Sequence, residues 1–183
     1  MYSRNSEPVR FERDCEAVLV PAGDQVTLPA GTVGYITQSL GGSWTVFVEG
    51  NLMRIAGKDA DAISKEPPAP IELPEGATDE DVERLVWQQL RTCFDPEIPV
   101  NIVELGLVYA AEVVPRDDGR RDVRVRMTLT APCCGMGEVL VDDVRSKVEL
   151  IPTVAEADVE LVFDPPWNQT LMSDVAKLET GML

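Results

Sequence analysis

Val123-Arg124-Val125-Arg126-Met127-Thr128-Leu129-Thr130 alternates strictly. Val123, Val125, Met127 and Leu129 face one way and Arg124, Arg126, Thr128 and Thr130 the other, the period-two pattern of a strand with one face on a core. The run breaks at Ala131-Pro132-Cys133-Cys134-Gly135, after which Met136, Val139, Leu140, Val144, Val148 and Ile151 recur at helical spacing, predicting a helix to about Leu150. A strand that passes through a proline-broken turn into a helix sets the pattern for the second half of the chain.

Reading outward, Leu107–Val114 reads as a strand, joined to Val123–Thr130 by a hairpin turn at Arg116-Asp117-Asp118-Gly119. Ala155–Phe163 reads as a third strand. Asp164-Pro165-Pro166-Trp167 is a rigid strand exit with a packed Trp, and Ser173–Leu178 a short last helix. Upstream, Thr78 followed by Asp79, Glu80 and Asp81 is a helix start, a capping hydroxyl with carboxylates on the positive end of the dipole. Val82, Leu85, Val86, Leu90 and Cys93 lie on one face of that helix. It ends at Asp95-Pro96-Glu97-Ile98-Pro99, where each proline holds the preceding residue extended and makes a stiff loop. The order α-β-β-α-β-α predicts a compact α+β domain over residues 77–183, without internal repeats.

Four prolines between Lys65 and Gly76 mark residues 66–76 as a semi-extended linker. Residues 1–65 read as a small all-β module. Five short apolar runs, Ala17–Val20, Gln25–Leu28, Gly34–Gln38, Thr45–Glu49 and Leu52–Ile55, are separated by Gly- and Pro-rich turns, suggesting an SH3-like meander or barrel with a docking or stabilising role.

The chain has 183 residues, 16 Lys plus Arg against 32 Asp plus Glu, a net charge of −16 and no histidine. A hydrophobic content of 44% excludes wholesale disorder. Without histidine this chain builds no Ser-His-Asp or Cys-His centre and no His-containing zinc site. The acid excess argues against nucleic acid as a partner. It is unevenly placed: residues 1–65 carry 8 acidic and 6 basic side chains, residues 77–183 carry 21 and 10. Met1–Arg10 has no apolar stretch of the signal-peptide kind, and no run of about 18 apolar residues suits a membrane. A cytoplasmic protein with free thiols is expected.

Chemistry concentrates at two places. Cys133-Cys134-Gly135-Met136-Gly137 lies at a strand-to-helix junction, where unpaired backbone N–H groups and the helix dipole favour a thiolate. Neighbouring side chains of an extended segment point opposite ways, so Cys133 and Cys134 do not both face one ion, and without a CxxC a stand-alone Cys₄ zinc site is not expected. A structural cysteine at a strand end is the competing reading. Asp95 and Glu97, followed by Glu104, occupy the proline-locked loop. Paired carboxylates there suit acid–base work or a hard cation, and turn chemistry alone also explains them. Cys93 reads as core, Cys15 has no assigned role, and Asp117-Asp118 and Asp142-Asp143 read as solvated charge.

Asp95-Pro96-Glu97-Ile98-Pro99-Val100-Asn101-Ile102-Val103-Glu104-Leu105-Gly106-Leu107-Val108-Tyr109 resembles the opening signature of the metal–sulfur cluster biosynthesis domain family. Met127 to Cys134 is similar to that family's Thr–Pro–Cys segment, about 30 residues downstream and in the expected order. The resemblance implies a compact α/β unit with helices packed on a small sheet, and an auxiliary role in maturing iron–sulfur proteins. It implies scaffold or carrier proteins and client apo-proteins as partners. It makes Cys134 the key thiol, with Asp95, Glu97, Thr130 and Gly135 around it. Cys133 departs from the family pattern and adds a second thiol. Cys134 would then ligate iron or an iron–sulfur cluster transiently, no other cofactor being implied. Stable clusters take four protein thiolates, so a homodimer partner, a client or a small thiol would complete the set. Competing readings are a pure adaptor with a structural Cys134, and a thiol enzyme, which the absent histidine disfavours.

Overall fold

The computed structural model describes residues 6–95, 98–131 and 135–182. The chain divides into two compact units, Met1–Ala69 and Pro70–Leu183.

The first unit is one antiparallel sheet of six strands: β1 (Glu7–Arg10), β2 (Cys15–Val20), β3 (Gln25–Leu28), β4 (Val33–Leu40), β5 (Ser43–Val48) and β6 (Asn51–Ile55). Their spatial order is β1-β4-β5-β6-β2-β3, with β1 and β3 at the two ends. The sequence predicted five strands. The sixth, β1, holds Val9 among Glu7, Pro8 and Arg10 and pairs only with β4. An edge strand needs few inward side chains and tolerates proline, so apolar periodicity does not reveal it. Alternation sends Trp44, Val46 and Val48 of β5 into the core beside Ile36, Met53 and Ile55. Gly34 is required where β4 crosses this layer, since a Cβ there would lie 2.8 Å from both Val46 and Val48. A 3₁₀ segment, Gly57–Ile63, adds Ala60, Ala62 and Ile63 to the same core.

Arg13 ties that segment to the loop after β1. Its Nε donates to Asp61 Oδ2 at 2.7 Å, and its Nη2 to Asp61 Oδ1 at 2.7 Å and Asp59 Oδ1 at 3.0 Å. The guanidinium holds the Asp61 carboxyl below the usual carboxylate range. Cys15 is buried, and desolvation pushes its thiol up to about 11, so it stays protonated and inert.

In the second unit the elements run α1 (Asp79–Leu90), β7 (Val108–Pro115), β8 (Arg121–Met127), α2 (Gly137–Glu149), β9 (Val154–Leu161) and α3 (Asp174–Glu179). Thr78 caps α1: its hydroxyl accepts the Asp81 N–H at 3.3 Å, and its own N–H donates to Asp81 Oδ2 at 2.9 Å. β7 and β8 form the antiparallel hairpin, and β9 returns through α2 to lie parallel to β8. α1 packs on β7, α2 on β9, and the helices meet each other. Between them and the sheet lie Val82, Val86, Leu90, Val123, Val125, Met127, Leu140, Val144 and Val148.

β8 ends at Met127, three residues before the predicted end, and the Thr128 N–H still donates to the carbonyl of Leu107, just before β7, at 2.8 Å. Asp143, read as solvated charge, is half-buried in an ion pair with Lys147 at 3.3 Å, and Lys147 also donates to the Thr92 carbonyl at 2.6 Å.

Candidate site at the end of the second sheet

The loop between α1 and β7 is folded by its own short-range hydrogen bonds. Asp95 Oδ1 accepts the Ile98 N–H at 3.0 Å. Asn101 Oδ1 accepts the N–H groups of Val103 at 3.1 Å and Glu104 at 3.0 Å. The Ile102 N–H returns to the Cys93 carbonyl at 2.9 Å, and the Leu107 N–H to the Ile102 carbonyl at 3.0 Å. Val100, Ile102, Leu105 and Leu107 are thereby driven into the core. Asp95 acts here as a turn former as well as a carboxylate at the loop's edge, and it is half-buried.

Backbone contacts bring the two motif segments together. The Thr128 N–H donates to the Leu107 carbonyl at 2.8 Å, and the Val162 N–H to the Met127 carbonyl at 2.8 Å. The Asp95–Leu107 loop, the residues after β8 and the chain leaving β9 therefore share one end of the sheet. The exit from β9 closes over the loop: Trp167 Nε1 donates to the Leu105 carbonyl at 2.7 Å, and the Ser173 N–H to the Glu104 carbonyl at 2.9 Å. Gly106 lies at φ +74°, and a Cβ there would overlap the Leu171 carbonyl, so this packing needs glycine.

Of the predicted site residues, Asp95, Thr130 and Gly135 are described, and Cys133, Cys134 and Glu97 lie outside the described residues. Thr130 is half-buried and Gly135 exposed, at either side of the Cys133-Cys134 segment in sequence. Met136 and Gly137 are buried, and a Cβ on Gly137 would come within 2.8 Å of the Leu129 side chain. The second glycine of the motif thus serves close packing of α2 on the end of the strand. Thr128 is fully buried, and its hydroxyl has no partner among the described residues. Cys93 is fully buried, its Sγ 3.6 Å from the Gln89 carbonyl.

Sequence reasoning assigned no role to Asn101 or Gly106, and read Trp167 only as a ring packed at the strand exit. An Asn just after two prolines was the available signal for the first. The other two act through contacts with residues more than 60 positions away, which no local pattern encodes. Among the described residues no three Cys, Asp or Glu side chains form a metal-holding group, and no helix is long and apolar enough to cross a membrane.

Residues 83–160 match the family model described as iron–sulfur cluster assembly protein. The chain is 46% identical over 106 residues to an Fe-S protein maturation auxiliary factor of Porphyromonas gingivalis, an alignment covering 58% of this chain and 93% of that one. It is 39% identical over 88 residues to the Fe-S protein maturation auxiliary factor SufT of Staphylococcus aureus, covering 48% and 96%. Among solved structures, a domain of unknown function from Bacillus anthracis is 36% identical, covers 57% of this chain and 96% of that chain, and has a TM-score of 0.49. The matched residues of the family model fall wholly within the second unit, and the relatives' lengths leave no room for a unit the size of the first. With nearly the whole of the first relative aligned at 46% identity, the chain belongs to the iron–sulfur cluster assembly protein family.

Proposed function

We propose that this protein is an auxiliary factor in iron–sulfur protein maturation whose working thiol is Cys134. One observation carries the reading: the Asp95–Leu107 loop and the residues following β8 are hydrogen-bonded together at one end of the sheet, on the segment that leads into Cys133-Cys134. The two motif segments, separated in sequence by the β7–β8 hairpin, thus meet at one end of the sheet. With no histidine, the anionic side-chain ligands this chain can offer iron are thiolate, carboxylate and phenolate, of which the motif supplies the first two.

Cys134 as thiolate takes iron or an iron–sulfur cluster as cargo, releasing its proton on ligation. α2 starts three residues later in sequence with Met136 at its N-cap making no side-chain capping bond, and a helix N-terminus favours an anionic sulfur placed near it. Asp95 stands at the edge of the loop, Thr130 and Gly135 lie on either side of the thiol segment in sequence, and Glu97 joins them by its place in the motif. A site with one or two thiols is short of the four a stable cluster takes, which suits a cargo handed between a scaffold or carrier protein and a client apo-protein. A second copy of the chain could supply the remaining thiolates as a homodimer, and a cytoplasmic setting keeps those thiols reduced.

The test is anaerobic titration of wild type, Cys134→Ser and Cys133→Ser with ferrous iron and sulfide, read by absorption and by activation of an apo-[4Fe–4S] enzyme. Wild type and Cys133→Ser should bind iron and activate the client, and Cys134→Ser should lose both. Equal binding and equal activation by wild type and Cys134→Ser overturns the reading.

A further inference from the structure

β9 is an end strand of the second sheet and pairs only with β8. Its backbone shows which groups are left over. The Val162 N–H donates to the Met127 carbonyl of β8 at 2.8 Å. Backbone groups alternate sides along a strand, so those of Asp158 and Glu160 also face β8, and those of Ala157, Val159 and Leu161 face outward. The Ala157 N–H agrees: it donates to the Glu149 carboxylate at 3.1 Å and not to β8. Beyond it, the outward N–H and C=O groups of Val159 and Leu161 have no partner among the described residues. The side chains of Ala157 and Val159 are buried in the core, so the edge is presented as backbone.

An open strand edge templates further pairing, and proteins blunt it with charge or cover it. Here the Glu149 side chain covers the Ala157 end. Along the rest runs a groove between α2 and the edge, lined by Glu138, Val141, Asp142, Arg145, Val159 and Leu161. It lies on the side of α2 away from α1, since Lys147, on the opposite side, reaches the Thr92 carbonyl just after α1. The other side of the edge is acidic. Glu156, Asp158 and Glu160 are the exposed side chains of β9, and the strand holds no basic residue. Arg116 lies 3.5 Å from Glu156, Arg126 3.8 Å from Glu160, and Arg124 stands opposite Asp158, all from the β8 side. Glu156 and Glu160 still keep 71% and 65% of their side chains exposed. In the groove Arg145 is held by Asp142 at 2.8 Å, which leaves Glu138 in excess.

A strand added here bonds the outward groups of Val159 and Leu161. Its residue opposite Val159 directs its side chain to the groove, and the neighbours of that residue stand beside Asp158 and Glu160. The occupant that fits is an extended segment with an apolar residue between basic ones. A second copy pairing β9 with β9 would set Glu156, Asp158 and Glu160 against one another, which like-charge repulsion opposes. We propose that the free edge of β9 takes an extended segment of a partner protein, alternating basic and apolar residues, as a fourth strand of this sheet. Leu161 is level with Met127, so the added strand reaches the sheet end where the two motif segments meet. The proposal goes beyond the maturation reading and does not rest on Cys134, so the two fail separately.

The test uses the full chain, without iron, and a fluorescein-labelled heptapeptide alternating Lys and Val. One twin carries Glu for Lys. A second keeps the sequence and has its internal backbone amides N-methylated, which preserves charge and removes strand pairing. The Lys peptide should bind saturably and more weakly at high salt, and the Glu twin should not bind. The N-methylated twin should bind about 10-fold or more weakly than its parent. Asp158→Lys with Glu160→Lys should weaken binding about 10-fold or more. Glu80→Lys with Glu83→Lys, the same charge change on α1, should leave it nearly unchanged. In ¹⁵N-labelled wild type, which needs no variant to fold, the Lys peptide should slow amide exchange at Val159 and Leu161 and shift Val141 and Arg145. Val46 and Ile55 of the first unit should stay unmoved. Absence of saturable binding, equal binding of the Lys peptide and its N-methylated twin, or shifts without protection of Val159 and Leu161 overturns the proposal. So does concentration-dependent dimerisation of the wild type that protects these two amides without peptide, since the occupant is then a second copy.

Discussion

The two sheets of this protein present opposite chemistry on their outward faces. In the first unit Tyr35, Phe47 and Leu52 stand side by side across three strands. In the second, Arg124 of β8 stands between Glu112 of β7 and Asp158 of β9, and Arg126 pairs with Glu160 at 3.8 Å. Both sheets bury one face on a core by the same period-two rule, so folding alone asks only that the other face be soluble. The charge lattice satisfies that demand and blunts unwanted association. The apolar ladder meets it less fully, with Tyr35 and Leu52 partly exposed. The acidic character of residues 77–183 is therefore a property of a solvated surface, with the described residues of the candidate site at the end of the sheet rather than on its charged face.

The sharpest way to break this division is to damage each core separately. Ile55 and Ile102 are both fully buried, one in each hydrophobic cluster. Ile55→Ala and Ile102→Ala should each cost about 2–5 kcal/mol in their own unit. Amide hydrogen exchange should show the loss confined to residues 6–69 in the first case and 70–182 in the second. Loss spreading through the whole chain in both would mean that the two units unfold as one.

A smaller effect tests the clamp at the site. Gly106→Ala places a methyl against the Leu171 carbonyl on a backbone at φ +74°. The cost should be about 2–3 kcal/mol, from left-handed strain and overpacking together. The urea midpoint of the second unit should fall while exchange in the first stays unchanged. Trp167→Phe keeps the ring and removes the indole N–H that the Leu105 carbonyl accepts. It should cost about 1–2 kcal/mol and loosen the Asp95–Leu107 loop. Faster exchange at Val103, Glu104 and Leu107, with α1 unaffected, would locate the effect. An unchanged loop would remove Trp167 from the account of the site.

How much of this was legible before the coordinates follows from range. The strand alternation of Val123–Met127, the α1 cap at Thr78 and the Val82/Val86/Leu90 stripe are local, and each stands in the structure as read. β1 escaped because an edge strand with one inward residue leaves no periodic trace. Thr128–Thr130, read as the end of a strand, lie beyond β8, and Thr128, read on the outer face, is fully buried. Asp143 was misread because an Asp-Asp pair resembles surface charge until Lys147 and the Thr92 carbonyl are set beside it. At the candidate site, the two motif segments were singled out individually from the sequence. Their meeting at one sheet end was not, since it depends on the pairing of β7 with β8 and on the chain leaving β9.

The mildest prediction concerns the acid response of α1. Thr78 and Asp81 cap each other, and the Thr78 N–H, with its hydroxyl second, holds the Asp81 carboxyl below its ordinary value of 3.8. A carboxylate depressed in the folded state contributes stability that is complete above the unfolded value and is lost as pH falls through the folded one. Thr78→Ala removes the hydroxyl and leaves the backbone donor, so it should cost about 1 kcal/mol near neutral pH. The gap between wild type and variant should narrow as pH drops below about 4, as Asp81 takes up its proton. Asp61, held down by Arg13 in the first unit, has the same sign, so wild type should lose stability in both units on acidification. Thr78→Ala should flatten that response in the second unit alone. Urea midpoints near neutral pH and near pH 3.5, followed by exchange in each unit, read both effects, and Thr78→Ser should restore most of the cap. A flattened response in both units would mean that the acid sensitivity of the two is coupled and that the division drawn between the sheets does not extend to their stability.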